Sequence, residues 1–192
     1  LDATNGICWS IVYATANILG FRHRTWYIPQ LAICQNLSWE FLIVISRFQS
    51  GSFGFAFFIQ FVWLLLDVGI LITWILYDKC TSFIKKTVLL LLVFTALYTL
   101  AYKADKWEFA AFLINLIMSV EFIRRTYQNC HCPNSIFIAT AKLIGTLSAT
   151  ILCGLLYRNL LILWLGGLCL LADIYYVILL LTERKGKEYE TS

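Results

Sequence analysis

Residues 53–76 read FGFAFFIQFVWLLLDVGILITWIL, and Asp67 is the single charged side chain among them. A bilayer core about 30 Å thick is crossed by about 20 apolar residues in a helix, so this stretch is predicted to span a membrane. The rest of the chain agrees with it. Its 192 residues are 60% apolar and 14% charged, with a mean hydropathy of +0.77, whereas soluble domains are nearer half apolar and about a quarter charged. Six further runs can be placed, giving predicted spans at 7–21, 27–46, 53–76, 87–102, 107–123, 135–157 and 159–181. The expected fold is all-α, an integral membrane bundle of seven transmembrane helices forming one domain over residues 1–192, because no polar block or Gly/Ser- or Pro-rich linker divides the runs. The first run has no basic lead-in or small-residue cleavage site, so no signal peptide is expected.

Lys and Arg in short loops are kept on the cytoplasmic side. Arg22, Arg24, Lys79, Lys85, Lys86, Arg124, Arg125, Arg184, Lys185 and Lys187 fall on the side of the C-terminus, against Arg47, Lys103, Lys106 and Arg158 opposite. The N-terminus is therefore expected outside and the C-terminus in the cytoplasm. This asymmetry accounts for the formal charge of +4, so the bilayer is the expected partner and nucleic acid is not.

Seven cysteines, an odd number scattered over helices and loops, argue against a disulfide framework. Cys130-His131-Cys132 is the one suggestive cluster, but three adjacent side chains cannot converge on one tetrahedral ion without further ligands. No metal or other cofactor is expected.

A charged side chain near a helix centre costs about 2.5–3.5 kcal/mol even on the insertion scale, which makes Glu40, Asp67, Lys142 and Asp173 the residues to explain. Counted from the inner span ends, Asn36, Asp67, Asn115, Lys142 and Asp173 share one layer, ~10–15 Å deep at 1.5 Å per residue. Glu40, one turn beyond Asn36, is expected at the floor of a pocket that opens toward the cytosol or inner leaflet. Asp67 and Lys142 are the expected ion pair, which leaves Glu40 and Asp173 without a cation. A carboxyl in apolar surroundings can stay protonated and act as an acid, so both are candidate proton donors; two protonated acids hydrogen-bonding neighbouring helices is the structural alternative. Aromatic faces stabilise cations, and Trp39 beside Glu40, Trp63 and Trp74 on the face of Asp67, and Tyr176 one turn after Asp173 could serve one.

These segments resemble a known family. Asn36-Leu37-Ser38-Trp39-Glu40 is similar to an Asn-x-x-Trp-Glu motif, Trp63-Leu64-Leu65-Leu66-Asp67 to Trp-x-x-x-Asp, Lys142-Leu143-Ile144-Gly145-Thr146 to basic-x-x-Gly-Thr, and Asp173-Ile174-Tyr175-Tyr176 to Asp-x-x-Tyr. In this order they resemble the small seven-helix membrane terpene cyclases of meroterpenoid and indole-terpenoid biosynthesis, the pyripyropene/paxilline-type family and its bacterial relatives. The resemblance implies a metal-independent cyclase that protonates a terminal epoxide or alkene of a prenylated, lipid-like substrate. It implies that Glu40 and Asp173 are its two acids, with Asn36, Trp39, Trp63, Asp67, Lys142 and Tyr176 around substrate and cation. It also implies a multi-pass protein of the plasma membrane in a bacterium or of the endoplasmic reticulum in a fungus. The chain has Lys142 where Arg is common in the family, and it lacks an Asp-Asp-x-x-Asp or Asp-x-Asp-Asp run that would hold magnesium on a diphosphate. Two rival classes stay open: a proton-coupled carrier, because intramembrane carboxylates also serve relays, and a retinal- or ligand-binding seven-helix protein with Lys142 as the Schiff base.

Overall fold

The computed structural model describes residues 2–77, 83–127 and 135–190, and the side chains of 3–77, 86–127 and 135–182. Cys80, Cys130, His131 and Cys132, and the side chains of Lys79, Lys85, Arg184, Lys185 and Lys187, lie outside them. The described chain is all helix: α1 Asp2–His23, α2 Gln30–Gln49, α3 Phe55–Tyr77, α4 Phe83–Lys103, α5 Trp107–Tyr127, α6 Ile136–Ala149 running on as a π-helical stretch Thr150–Leu156, and α7 Leu160–Glu190.

Local chemistry sets the helix ends. Pro29, at φ −57°, precedes the first turn of α2, where its missing N–H costs nothing. Ser135 caps α6, its Oγ accepting from the Ile138 N–H. Three turns close in the Schellman pattern, in which an N–H reaches back to the carbonyl five residues earlier: Thr25 to Gly20 at 3.0 Å, Ser52 to Arg47 at 3.0 Å and Lys106 to Ala101 at 2.9 Å. Each needs a left-handed residue, supplied by Arg24 (φ 51°), Gly51 (φ 66°) and Asp105 (φ 55°).

Among the described residues four segments, Phe55–Tyr77, Lys86–Lys103, Ile136–Leu156 and Leu160–Thr182, are long and apolar enough to cross a membrane. α1, α2 and α5 carry more polar side chains, and in α2 and α5 many of these are buried among neighbouring helices. α7 continues nine residues past the expected end at 181. Apolarity stops there, but the Glu- and Lys-rich sequence that follows still favours helix.

Six helices close a ring: α1 packs on α6, α6 on α7, α7 on α5, α5 on α2, α2 on α3 and α3 on α1, while α4 lies outside against α2 and α5. Every ring helix turns at least one polar side chain to buried surroundings, Tyr13, Lys142, Asp173, Asn115, Glu40 and Asp67 in that order. Large apolar side chains such as Leu92, Leu160, Trp164 and Leu171 are exposed on the outside. Polar groups within and apolar groups without is the distribution a lipid solvent selects, and these helices fit a membrane protein. A missing side chain helps to seal α1 to α3: a Cβ at Gly69 would collide with the side-chain amide of Asn17. Asn17 donates at 2.8 Å to the carbonyl of Leu66, three residues earlier on α3.

Candidate active site

The candidate carboxyls and Lys142 fall into two clusters among the described residues. In the first, on α5, α6 and α7, Lys142 Nζ donates to Asp173 Oδ1 at 2.6 Å and to Ser119 Oγ at 2.6 Å. Ser119 Oγ lies 2.7 Å from the same carboxylate oxygen. Thr146 Oγ1 donates to Asp173 Oδ2 at 2.8 Å, and Asn115 Nδ2 donates to Thr146 Oγ1 at 3.0 Å. Both carboxylate oxygens are satisfied and the ion pair is fully buried. The indole of Trp9 lies under Lys142, 5.7 Å from Nζ to the ring centroid; that approach is open because a Cβ on Gly145 would already stand 3.2 Å from Trp9 Nε1.

This arrangement corrects the expected pairing. Lys142 neutralises Asp173, not Asp67, and Asp173 is not a carboxyl without a cation. The reason is the order of the ring: α6 lies between α1 and α7, while α3 lies between α1 and α2. Depth along the spans put these residues at one level, but depth does not say which helices are neighbours.

The second cluster, on α1, α2 and α3, is unsatisfied. Asp67 is fully buried and neither of its oxygens has a hydrogen-bond partner among the described residues. Glu40 is 3% exposed and its Oε2 is likewise unpaired. The two carboxyls are near enough to act on each other electrostatically, and both act on Tyr13. Tyr13 stands between their helices. Its hydroxyl accepts from Asn36 Nδ2 at 3.0 Å, one turn before Glu40. Its ring meets Trp63, one turn before Asp67, edge-on at 6.0 Å, and Trp9 lies at 5.7 Å on its other side.

Trp63 Nε1 donates to Ser10 Oγ at 2.8 Å, and Ser10 lines an apolar cleft of about 450 Å³ between α1 and α3, with Gly6, Ile7, Ile11, Phe55 and Ile59. The cleft lies toward the N-terminal ends of α1 and α3. The expected mouth was at the opposite ends of these helices, where Arg22 and Arg24 leave α1.

The remaining candidates are dispersed. Trp39, next to Glu40 in sequence, is turned about 100° around the helix and packs edge-on against Tyr98 of α4 at 5.9 Å, outside the ring. Trp74 stacks on Trp26 at 3.5 Å and donates to the Ile28 carbonyl at 2.7 Å, about two turns from Asp67. Tyr176 is buried and stacked on Phe122 at 5.2 Å. Sequence reasoning did not single out Trp9, Tyr13 and Ser119, and it met Thr146 only as the last residue of the basic-x-x-Gly-Thr motif. Ser119 and Thr146 each stand one turn from a residue that was chosen, Asn115 and Lys142, and Trp9 and Tyr13 stand one turn apart on α1. Among the described residues no group of three or more His, Cys, Asp or Glu could hold a metal ion.

No protein-family profile matches the chain, and no solved structure matches it significantly. The chain is similar to the Pyr4-family terpene cyclase mfmH of Annulohypoxylon moriforme, with 29% identity over 69 residues. That stretch is 36% of this chain and 27% of the relative's length. A match of this extent supports the motif-based resemblance only loosely.

Proposed function

We propose that the protein is a multi-pass membrane terpene cyclase that starts ring closure on a prenylated, lipid-like substrate by Brønsted acid. Its local similarity to a terpene cyclase suggests terpene cyclisation in general and an enzyme of cyclase type. The observation that carries the finer reading is Glu40 itself, a buried carboxyl with an unpaired oxygen one turn from the Asn36–Tyr13 bond, with Tyr13 packed on the Trp63 ring whose N–H meets the cleft residue Ser10. A prenyl tail entering that cleft passes Trp63 and Tyr13 and brings its end toward Glu40. The Glu40 O–H bond breaks, and its proton adds to the terminal alkene or to the epoxide oxygen. The neighbouring double bonds then supply electron pairs to the resulting cation. When the last cation loses a proton, the C–H electron pair forms an alkene and the proton returns to the Glu40 carboxylate. Each well-placed aromatic face offers a desolvated cation about 1–2 kcal/mol.

Asp173 has a different part in this reading. Held by Lys142, Ser119 and Thr146, it fixes the α5–α6–α7 wall and is not the first proton donor. The proposed topology is seven spans with the N-terminus outside and the C-terminus in the cytoplasm, in the plasma membrane of a bacterium or the endoplasmic reticulum of a fungus.

The test is direct. Purified protein in lipid nanodiscs, given farnesylated indoles and their terminal epoxides, is expected to return a cyclised isomer of unchanged mass. Glu40→Gln protein, inserted in equal amount, is expected to return substrate. No product from wild-type protein, with proton-coupled uptake of the same compounds into proteoliposomes, would sink the cyclase reading in favour of a carrier.

A further inference from the structure

We infer that Asp67 is the positioning partner of Glu40: the two carboxyls form one acid pair, and neutral Asp67 donates a hydrogen bond to the Glu40 carboxylate left when the proton goes to substrate. This rests on the reading of Glu40 as the acid and assigns Asp67 a task that neither the motif nor the charge count gave it.

The argument is one of unsatisfied groups. A buried polar atom without a partner costs about 1–3 kcal/mol, and a buried charge far more. Asp67 has two such atoms and Glu40 at least one. The buried ammonium among the described residues, Lys142, is already held by Asp173 and Ser119. An ionised Asp67 would have neither a cation nor a donor. A proton on Asp67 meets both needs, because a carboxylic acid carries one O–H donor and the neighbouring helix carries an orphaned acceptor, Glu40 Oε2.

The framework around the two groups suits such a bond, direct or through one water. α2 packs directly on α3. Tyr13 is fixed to α2 by Asn36 one turn before Glu40, and to α3 by Trp63 one turn before Asp67. The two carboxyls thus lie on neighbouring antiparallel helices, each one turn from a residue that holds Tyr13, and near enough to act on each other electrostatically. Proton transfer from Glu40 creates a carboxylate in surroundings that offer it no cation, and a hydrogen bond from Asp67–H is the local stabilisation available. No oxidant or metal enters: one O–H bond breaks on Glu40, one bond to hydrogen forms on the substrate, and the negative charge stays on the pair until the product cation returns a proton.

The experiment has a spectroscopic arm and a kinetic arm, both on full-length protein in nanodiscs. In the infrared spectrum, Glu40→Gln and Asp67→Asn are each expected to remove one carboxylic-acid C=O band and to shift the band that survives. A surviving band that stays in place in both variants overturns the pair. This arm needs no substrate, so it distinguishes failure of the pair from failure of the cyclase reading. In the kinetic arm Asp67→Asn is expected to lower kcat about 10- to 100-fold, the worth of one hydrogen bond to a charged group, with KM little changed. Asp67→Glu keeps the carboxyl on a longer stem and is expected to regain part of that loss with both bands present. Equal loss in Asp67→Asn and Asp67→Glu would make Asp67 a structural residue and overturn the inference.

Discussion

Asp173 and Asp67 are the same residue type, at similar depth and equally removed from solvent, yet their surroundings differ in every other respect. Asp173 receives a lysine, a serine and a threonine; Asp67 receives nothing from the described residues and lies within electrostatic reach of a second carboxyl. A buried ion pair with all its hydrogen bonds made is rigid and costly to disturb. A carboxyl without donors keeps its proton and can give it away. Burial alone therefore does not identify an acid site, and what decides is whether the neighbouring helices supply donors.

The sharpest break of this comparison is Glu40→Gln. Removing a positioned acid costs about 10²–10⁴-fold in rate, and because Gln keeps the shape of the side chain, thermal stability in detergent is expected to hold. Loss of stability in place of activity would merge the two clusters into one structural role. The converse case is Asp173→Asn, which leaves Lys142 buried and unpaired. It is expected to cost about 3–5 kcal/mol of stability, read as a large fall in melting temperature and in yield. Adding Lys142→Met should restore much of that loss, since breaking a buried pair costs more than removing both charges. No recovery in the double variant would mean that Asp173 does more than hold the lysine.

A smaller effect is expected from Tyr13→Phe. It deletes the acceptor for Asn36 Nδ2 and leaves a buried amide donor unpaired, worth about 1–3 kcal/mol, while keeping the ring against Trp63. Cyclisation should fall modestly as Glu40 loses its registration. A rate unchanged from wild type would detach α1 from the site. The smallest expected effect is none: chelation by EDTA should leave turnover as it was, and recovery of a lost activity by magnesium would return Asp67 and Asp173 to consideration as metal ligands.

Much of this was legible in the sequence, and the limits have physical causes. The run 53–76 matches α3 (Phe55–Tyr77) closely, because an uninterrupted apolar segment ends where polar residues begin. Part of the polar layer was legible too, since rise per residue converts position into depth and Asn115, Lys142 and Asp173 do meet in one network. Lateral order was not. Periodicity says that Glu40 and Asn36 share a face, but not that this face meets Tyr13 of α1, nor that the next residue, Trp39, belongs to α4. The basic residue of the sixth span was paired with the wrong aspartate for the same reason. α1 hid its contribution because Trp9, Ser10 and Tyr13 are ordinary residues in a short apolar run, and their role emerges once α3 and α6 are placed on either side of them.

The Lys142–Asp173 bridge also bears on how the chain can be assembled. Its partners lie 31 residues apart, on consecutive helices joined by a tight turn in which Arg158 is left-handed (φ 53°). The helices approach closely on either side of that turn: a Cβ on Gly154 would stand 2.9 Å from the Leu163 backbone, and one on Gly166 2.5 Å from the Thr150 hydroxyl oxygen. The lysine and its counter-charge are thus carried on one hairpin, so that in the proposed membrane topology the hairpin enters the bilayer as a unit of zero net internal charge. Packing against α1 and α5 then buries a pair of helices whose internal charges already cancel.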